Sequence, residues 1–460
     1  MDAANSLKND RKEVFGWLMY DWANSAFYTT VVSVLVGPYL TALAQAHVGK
    51  GGTIFNLGFL GSVTAESLVT QTLGLSVLIQ VPLLPILGSI ADYTNLKKRL
   101  MAFFCYLGVV ASCLFFFITG EAYLWGCLLL MISNMSFAAA NVFYNAYLVD
   151  LTTEDKRDRI SSWGFASGYI GGVVMLVANL LVINNAEALG LDKSRAVRIS
   201  MLAASLWWGL FAIVTFYLVK SRGAVKKESA KKHLVIVGFT ELWKTIKQLF
   251  KLKHTCLFLI AYLFYNDGIQ TVILTSSIFL SQELFISKGL ETDQAFLLGI
   301  FLVAQISALV GAIVFERIAR VIGAKSTILI CLAIWSGIVI FAYGFLETKF
   351  QAWIMGVFIG LVLGSTQALS RSLYSQMIPK GSEASFFGLY EISEKGTSWM
   401  GNMMFGIVVA TTGSFRHAIL GLIFFFVVGS IILIFTNTVK AIHQAGQHTP
   451  EEALEMSHSE

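Results

Sequence analysis

The stretch Tyr20-Asp21-Trp22-Ala23-Asn24-Ser25-Ala26-Phe27-Tyr28 sets polar side chains inside the first long hydrophobic segment of the chain. On an α-helix the polar positions i, i+3, i+4 and i+7 form one stripe along one face, and here they are Asp21, Asn24, Ser25 and Tyr28. A carboxylate inside a membrane span costs about 3 kcal/mol on insertion scales unless it faces protein or water. We therefore expect this stripe to line a polar interior.

The composition predicts an all-α polytopic membrane protein. Of the 460 residues, 56% are hydrophobic and 13% are charged, whereas roughly a quarter of the residues in a soluble globular protein are charged. Apolar runs near the span length of about 20 residues predict about twelve transmembrane helices. They lie near residues 15–40, 71–91, 100–119, 122–149, 161–184, 200–219, 255–280, 295–315, 326–345, 351–371, 384–411 and 416–438.

Basic residues concentrate in alternate loops, which is the pattern of loops that stay cytoplasmic. Examples are Lys97-Lys98-Arg99, Lys156-Arg157 and the segment 220–253. Both termini are therefore predicted to be cytoplasmic. The same bias explains the formal charge of +5, so we expect no nucleic-acid partner. The expected partners are membrane lipids and a small-molecule substrate, and the oligomeric state stays open.

The main change in composition divides the chain. We predict an N-terminal six-helix half at 1–219, a cytoplasmic linker at 220–254, a C-terminal six-helix half at 255–440 and a disordered cytoplasmic tail at 441–460. Within the linker, apolar residues recur at helical spacing against lysines, which predicts an amphipathic helix on the anionic cytoplasmic leaflet.

Three further spans carry polar residues. In the fourth span Asn141 and Asn145 continue a polar face that begins at Asn134. Such amides either line a cavity or bond neighbouring helices, and their number favours lining. The seventh span repeats the opening pattern, with Asp267 three residues before Gln270, and the tenth ends in a stretch that contains Gln367 and Arg371.

The eleventh span has the densest intramembrane charge. Glu391 and Lys395 stand at i and i+4 and can pair within the helix, which leaves Glu394 as the less neutralised acid. The trio is either a structural ion pair or a functional site.

Glycines mark two other features. Gly164, Gly168 and Gly172 recur at every fourth position of the fifth span, which indicates close helix packing, although a face that slides would have the same pattern. The second span ends in Gly88-Ser-Ile-Ala-Asp92, and Lys97 follows. On its own that segment is a polar turn with cytoplasmic anchors.

Other chemistries lack their motifs. The five cysteines have no metal-binding or redox spacing, and no GxxxxGK[ST] sequence occurs. We expect no metal, no cofactor and no ATP hydrolysis within this chain.

The stretches 20–27, 265–268 (Tyr-Asn-Asp-Gly) and 367–372 (Gln-Ala-Leu-Ser-Arg-Ser) together resemble the autophagy-related vacuole effluxer family of the major facilitator superfamily. Gly88, Asp92 and Lys97 resemble the superfamily's loop motif, with a gating role, although Tyr93 and Asn95 depart from it. The resemblance implies a twelve-helix fold of two halves, with the first, fourth, seventh and tenth helices around a central cavity. It also implies alternating access. Fungal members are associated with amino-acid export from the vacuole. The compact chain is more like a bacterial member in the cell membrane.

The sequence therefore predicts a proton-coupled secondary transporter for a small polar solute such as an amino acid, and not an enzyme. The coupling or gating candidates are Asp21, Asp267, Glu394 and Glu391, and the substrate-cavity candidates are Asn24, Ser25, Tyr28, Asn141, Asn145, Gln270, Gln367, Arg371 and Lys395. Asp21 serves either a cytoplasmic gate or the central site. The alternatives are a channel or lipid scramblase and, less favoured because the seven histidines are scattered, a membrane transferase. Import versus export, the coupling ion and the substrate stay open.

Overall fold

The computed structural model of the chain describes residues 8–56, 62–221, 234–395 and 399–459. The elements of the first half are α1 (Arg11–Ala26), a π-helix (Phe27–Leu35), α2 (Val36–Val48), β1 (Thr53–Asn56), β2 (Ser62–Thr64), α3 (Leu68–Tyr93), α4 (Lys97–Cys113), α5 (Tyr123–Leu151), α6 (Arg157–Asn184) and α7 (Lys193–Leu218). Those that follow are α8 (Leu234–Lys251), α9 (Lys253–Leu284), α10 (Gln294–Ile322), α11 (Ala324–Gly344), α12 (Lys349–Gln376), α13 (Glu383–Lys395), α14 (Trp399–Thr412), α15 (Phe415–Gly421), α16 (Ile423–Phe435), α17 (Thr438–Gln444) and α18 (Pro450–Ser459). Short 3₁₀ helices occupy Leu114–Phe117, Glu154–Lys156 and Ile286–Lys288.

The helices confirm a polytopic membrane protein. Eleven helical segments of the described chain are long and apolar enough to cross a membrane. The remaining predicted span, near 384–411, is occupied by α13 and α14, and Met400–Thr412 is a shorter apolar helix. The first span is not uniform, because α1 passes into a nine-residue π-helix that begins at Phe27 and includes Tyr28, the last residue of the polar stripe. The division of the chain at the linker remains a prediction, and its two parts are called the first half and the second half.

Two regions differ from the expected all-helical bundle with a disordered tail. The loop after α2 carries an antiparallel hairpin in which Thr53 pairs with Thr64. The tail forms α17 and α18 instead of lacking structure. The segment predicted as the linker contains α8, which packs against α3, and a Cβ added at Gly238 would lie 2.9 Å from Ile86 Cγ2 and 3.1 Å from Ile90 Cγ1.

The two ends of the bundle can be told apart by their contacts. We call the linker end the end at which α1 begins and α7 ends, where the Asn9 amide donates to the Leu151 carbonyl at 2.8 Å. There Lys98 Nζ donates to the Val219 carbonyl at 2.7 Å. Residues 92, 145, 157, 161 and 169 of the first half form hydrogen bonds with the second half. The first four lie in the linker-end part of their helices, and Tyr169 lies near the middle of α6. The halves are therefore closed against each other at the linker end.

Candidate functional site

Asp21, the first residue of the polar stripe, lies at the interface between the halves. Asp21 is buried, and its Oδ2 accepts a hydrogen bond from the Tyr144 hydroxyl at 2.6 Å. The same oxygen lies 3.4 Å from one terminal nitrogen of Arg371 and 3.5 Å from the other. Because Asp21 is on α1 and Arg371 is on α12, this ion pair joins the two halves.

Every N–H of the Arg371 guanidinium has an acceptor, and its side chain is almost fully buried. Nε donates to Ser161 Oγ at 2.9 Å, and Nη2 donates to the Ser161 carbonyl at 2.8 Å. Nη1 reaches Asn145 Oδ1 at 3.3 Å. Only Asp21 among these partners carries a charge, so it is the neutralising partner of a buried cation.

Aromatic rings enclose the same guanidinium. Its central carbon lies 4.2 Å from the ring centroid of Phe165, 5.0 Å from that of Trp17 and 5.6 Å from that of Tyr144. Trp17 and Tyr144 stack on each other with centroids 4.5 Å apart. Faces of aromatic rings attract cations, most strongly when water is excluded. The rings therefore hold Arg371 in place and keep water from the ion pair.

Glycines of α6 allow this helix to lie close to Asp21, Ser25 and Arg371. A Cβ added at Gly164 would lie 2.6 Å from Asp21 Oδ2 and 2.8 Å from Arg371 Nη2. At Gly168 it would lie 2.5 Å from Ser25 Oγ. The GxxxG spacing predicted close packing, and the structure places that packing directly over the ion pair.

Asn145 extends the network to α13. Its Nδ2 donates to Glu391 Oε1 at 2.8 Å, while its Oδ1 accepts from Arg371. Glu391 is buried and Glu394 is half-buried. The side chain of Lys395 lies outside the described part of the structure. The predicted pair of Lys395 with Glu391 therefore lies outside it as well.

The remaining cavity candidates are dispersed. Asn24 Nδ2 donates to Asn141 Oδ1 at 3.0 Å, which joins α1 to α5 within the first half, and Ser25 Oγ lies 3.5 Å from Asn24 Oδ1. Gln367 accepts from the Tyr169 hydroxyl at 2.9 Å across the halves. Tyr28 is 39% exposed and stacks on Phe137, and Gln270 is half-buried.

The loop motif reaches the other half through Asp92. Its Oδ1 accepts from the Ala384 amide at 2.9 Å, and its Oδ2 accepts from the amide and hydroxyl of Ser385 at 2.7 Å and 2.6 Å. These amides belong to the first turn of α13, where the helix dipole favours a negative charge. The Asp92 carboxylate therefore caps a helix of the opposite half.

Two glycines allow α3 and α13 to cross closely. A Cβ at Gly88 would overlap the Ala384 carbonyl, and one at Gly388 would lie 2.7 Å from Pro85 Cα. Lys97, by contrast, forms its ion pair with Asp150 of its own half at 3.0 Å. Of the three motif residues, Gly88 and Asp92 meet the second half directly.

Asp267 forms a separate site on α9. It is fully buried, and its Oδ2 accepts from the Gly401 amide at 2.7 Å in the first turn of α14. Its Oδ1 and the hydroxyl of Thr271 have no hydrogen-bond partner within the described part of the chain. The neighbouring Asn266 donates to the Glu394 carbonyl at 2.8 Å. Adjacent side chains of α9 thus hold the end of α13 and the start of α14.

Several residues of this network were not among the sequence candidates: Trp17, Tyr144, Ser161, Phe165 and Tyr169. Tyr144 adjoins Asn145 in the polar part of the fourth span, which was a usable signal. Ser161 and Phe165 carry no such signal, because only the packing of α6 against α12 gives them their role. Among the described residues no group of three or more His, Cys, Asp or Glu side chains is arranged to hold a metal ion.

Comparison with known proteins identifies relatives along nearly the whole chain. Residues 9–446 match the family described as vacuole effluxer Atg22 like. The chain is 34% identical over 433 residues to the uncharacterized MFS-type transporter YxiO of Bacillus subtilis (strain 168), with 93% of this chain and 96% of that protein covered. It is 26% identical over 551 residues to autophagy-related protein 22-2 of Neosartorya fischeri, with 93% and 88% covered.

Solved structures agree on the fold. The Escherichia coli fucose:proton symporter FucP superposes with a TM-score of 0.66 at 12% identity, with 93% of this chain and 98% of that chain covered. The human organic anion transporter MFSD10 gives 0.67 at 11% identity, with 92% and 99% covered. The proton:xylose symporter XylE gives 0.65 at 12% identity, with 97% and 99% covered. At these identities the likeness establishes the major facilitator superfamily fold and nothing finer.

Proposed function

The chain belongs to the vacuole effluxer Atg22-like family, with an MFS-type transporter among its relatives, and from this premise we propose that it is a proton-coupled secondary transporter. It is a transporter rather than an enzyme, and it moves a small polar solute by alternating access. The observation that carries the proposal is the Asp21–Arg371 pair, a buried ion pair between the halves at the closed linker end. Rocking of the halves separates its partners, so this pair is a gate.

The polar groups that join the halves at the linker end can replace their hydrogen bonds to each other with hydrogen bonds to water. Asp92 and Asn145 bond across the halves, as Arg371 does, and each of these groups is well solvated once the end opens. A buried ion pair adds little net stability, because desolvation offsets most of the attraction. A closure of this kind holds the halves together without trapping them.

Asp267 is the proposed proton site. It is a fully buried carboxylate, and its Oδ1 has no hydrogen-bond partner among the described residues. Burying an unpaired charge is costly, so uptake and release of a proton change the free energy of this site strongly. The Gly401 amide bond transmits that change to α14. Glu394 and Glu391, nearer the gate, are secondary candidates for coupling.

The proposed substrate class is an amino acid or a similar zwitterion. Polar side chains on α1, the π-helix after it, α5, α9 and α12 supply neutral hydrogen-bonding groups for it: Asn24, Ser25, Tyr28, Asn141, Gln270 and Gln367. Arg371 becomes available to a substrate carboxylate only when the gate opens, because all its donors are used in the closed state.

The basic loops place the linker end in the cytoplasm. On that orientation the structure corresponds to a state closed toward the cytoplasm, with both termini cytoplasmic, and the membrane is the cell membrane of a bacterium.

The test uses the purified full chain in liposomes with an imposed pH gradient and a mixture of the radiolabelled proteinogenic amino acids. The wild type is expected to show saturable uptake that the gradient accelerates. Asp267→Asn is expected to retain amino-acid exchange at equal pH but to lose the acceleration. Asp293→Asn is the control, since Asp293 lies in the same half but at an exposed position paired with Lys349.

Each failure has its own meaning. Uptake that rises linearly with concentration and shows no exchange would indicate a channel and refute the transporter. A saturable uptake with unchanged gradient dependence in Asp267→Asn would remove Asp267 from coupling. If no amino acid is taken up, the substrate class is wrong.

A further inference from the structure

The C-terminal tail contacts both halves at the closed linker end. The helices α17 and α18 follow the last span, so the tail is attached to the second half. Helix α17 packs against α9 of that half, whereas α18 packs against the 3₁₀ helix Glu154–Lys156 of the first half. The turn between α17 and α18 therefore crosses the boundary between the halves at the linker end.

Gln447 lies in this turn and is 2% exposed. Its Oε1 accepts from Arg157 Nη1 at the start of α6. Its Nε2 donates to the Ser375 carbonyl at 3.2 Å and to the Ile378 carbonyl just after α12. The amide thus uses both its donors and its acceptor, and it does so between the two halves.

Arg157 is the partner that needs this contact. It is fully buried, and its Nη1 also donates to the Ser375 carbonyl at 3.2 Å. Its acid partner Glu154, at 3.4 Å, belongs to the first half. Burial of a cation is costly unless its donors find acceptors, and Nε of Arg157 has none within the described part of the chain, so its remaining bonds matter more. With Ser375, Gln447 supplies the acceptors that tie this cation to the second half.

The turn is shaped to present Gln447. Gly446 adopts a φ of +71°, where an L side chain is strained. The backbone N–H of Gln447 donates to the Ile442 carbonyl at 3.1 Å. On the far side of the turn, Glu452 accepts from the Thr449 amide at 2.9 Å and bonds to His443 at 2.9 Å. The two tail helices are therefore fixed to each other around Gln447.

We propose that the C-terminal tail is a latch on the closed linker end, and that Gln447 is the positioning residue that ties Arg157 of the first half to the end of α12. The proposal rests on alternating access as the proposed function and adds a control on it. When the linker end opens, the start of α6 moves away from the end of α12, and Gln447 must give up its bonds on one side. The latch therefore favours the closed state. Gln447 lies one residue beyond the segment that matches the family.

The test measures the population of the open state directly. Spin labels are placed at exposed residues of the two halves at the linker end, Arg99 and Lys380, in a background without the native cysteines. Double electron–electron resonance then reports the distance distribution in liposomes. Gln447→Ala is expected to raise the ratio of open to closed state about tenfold, because it removes several buried hydrogen bonds. Gln444→Ala is the matched control, since Gln444 is an exposed glutamine in the same tail.

A second, more conservative variant distinguishes loss of the latch from misfolding. Gln447→Glu keeps an acceptor for Arg157 but loses the donors to Ser375 and Ile378, so an intermediate open population is expected. The latch is refuted if Gln447→Ala and Gln447→Glu both give the wild-type distribution while the wild type itself samples two distances. A wild type that keeps one distance at every pH and with every amino acid refutes alternating access instead. A merely structural role for Gln447 would lower the thermal stability of the protein without changing the ratio of the two distances.

Discussion

Replacement of Asp21 by Asn removes the charge that neutralises Arg371 and leaves the size of the side chain almost unchanged. Removal of one partner of a buried ion pair costs about 3 to 5 kcal/mol, because the remaining charge stays desolvated. In this protein the cost falls on the closed state, since Asp21 and Arg371 lie on different halves and Arg371 can be hydrated after opening. Ser161 and Asn145 still accept from Arg371, so we take the low end, about 3 kcal/mol. That is roughly a hundredfold shift toward the open state.

The measurement is the same distance distribution between labels at Arg99 and Lys380. Asp21→Asn is expected to convert a closed population into a largely open one. The double variant Asp21→Asn with Arg371→Met removes the unpaired cation as well and is expected to restore much of the closed population. Asp293→Asn breaks a pair with Lys349 whose side chains are 40% and 51% exposed, and pairs of this kind contribute about 0.2 to 1 kcal/mol. If Asp21→Asn leaves the distribution unchanged, or if Asp293→Asn changes it equally, the ion pair is not part of the gate.

Two further predictions concern other contacts. Gly88→Ala is expected to open the linker end, because its Cβ would overlap the Ala384 carbonyl of the other half, whereas Gly74→Ala on the same helix meets no atom and serves as the control in the distance measurement. Outside the membrane, the Gly51 amide and the Gln45 side chain donate to Glu66 and lower the pKa of that carboxyl from 4.5 to about 2. Its contribution to the hairpin is therefore present above pH 4.5 and lost as the pH falls toward 2. Hydrogen exchange at Gly51, corrected for intrinsic rates, should accelerate over this range in the wild type but not in Glu66→Gln; equal profiles would contradict it.

The sequence predicted the parts of this arrangement that follow from local periodicity. The helical spacing of Asp21, Asn24 and Ser25 identified a polar face, and the apolar runs identified the spans. It also named Arg371 as a substrate-cavity candidate. It could not identify Asp21 and Arg371 as partners, because they are 350 positions apart and only the packing of the halves brings them together.

The tail shows the opposite limit. Its polar composition predicted disorder, since a segment with few apolar residues cannot bury enough surface on its own. Gln447 is nevertheless buried, because Arg157 and the carbonyl groups of Ser375 and Ile378 form hydrogen bonds with its side-chain amide. Because the groups that bury Gln447 belong to distant parts of the chain, the sequence of the tail itself contains no pattern that predicts this burial.

The glycine stripes separate rigid packing from packing that must be undone. Within the first half, Gly164 and Gly168 of α6 lie against α1, and within the second half Gly360 and Gly364 of α12 lie against the backbone of α10. The spacing alone did not distinguish permanent contacts from sliding ones. The structure places Gly360 and Gly364 in the interior of the second half, whereas Gly164 lies both against α1 and against Arg371 of the other half. Helices in such backbone contact move as one body. Two glycine contacts across the halves, at Gly88 and Gly388, accompany the Asp92 bonds at the linker end. The proposed motion therefore has to change the packing of α3 and α5 against α13 and of α6 against α10 and α12, together with the polar bonds between the halves, while each half stays intact.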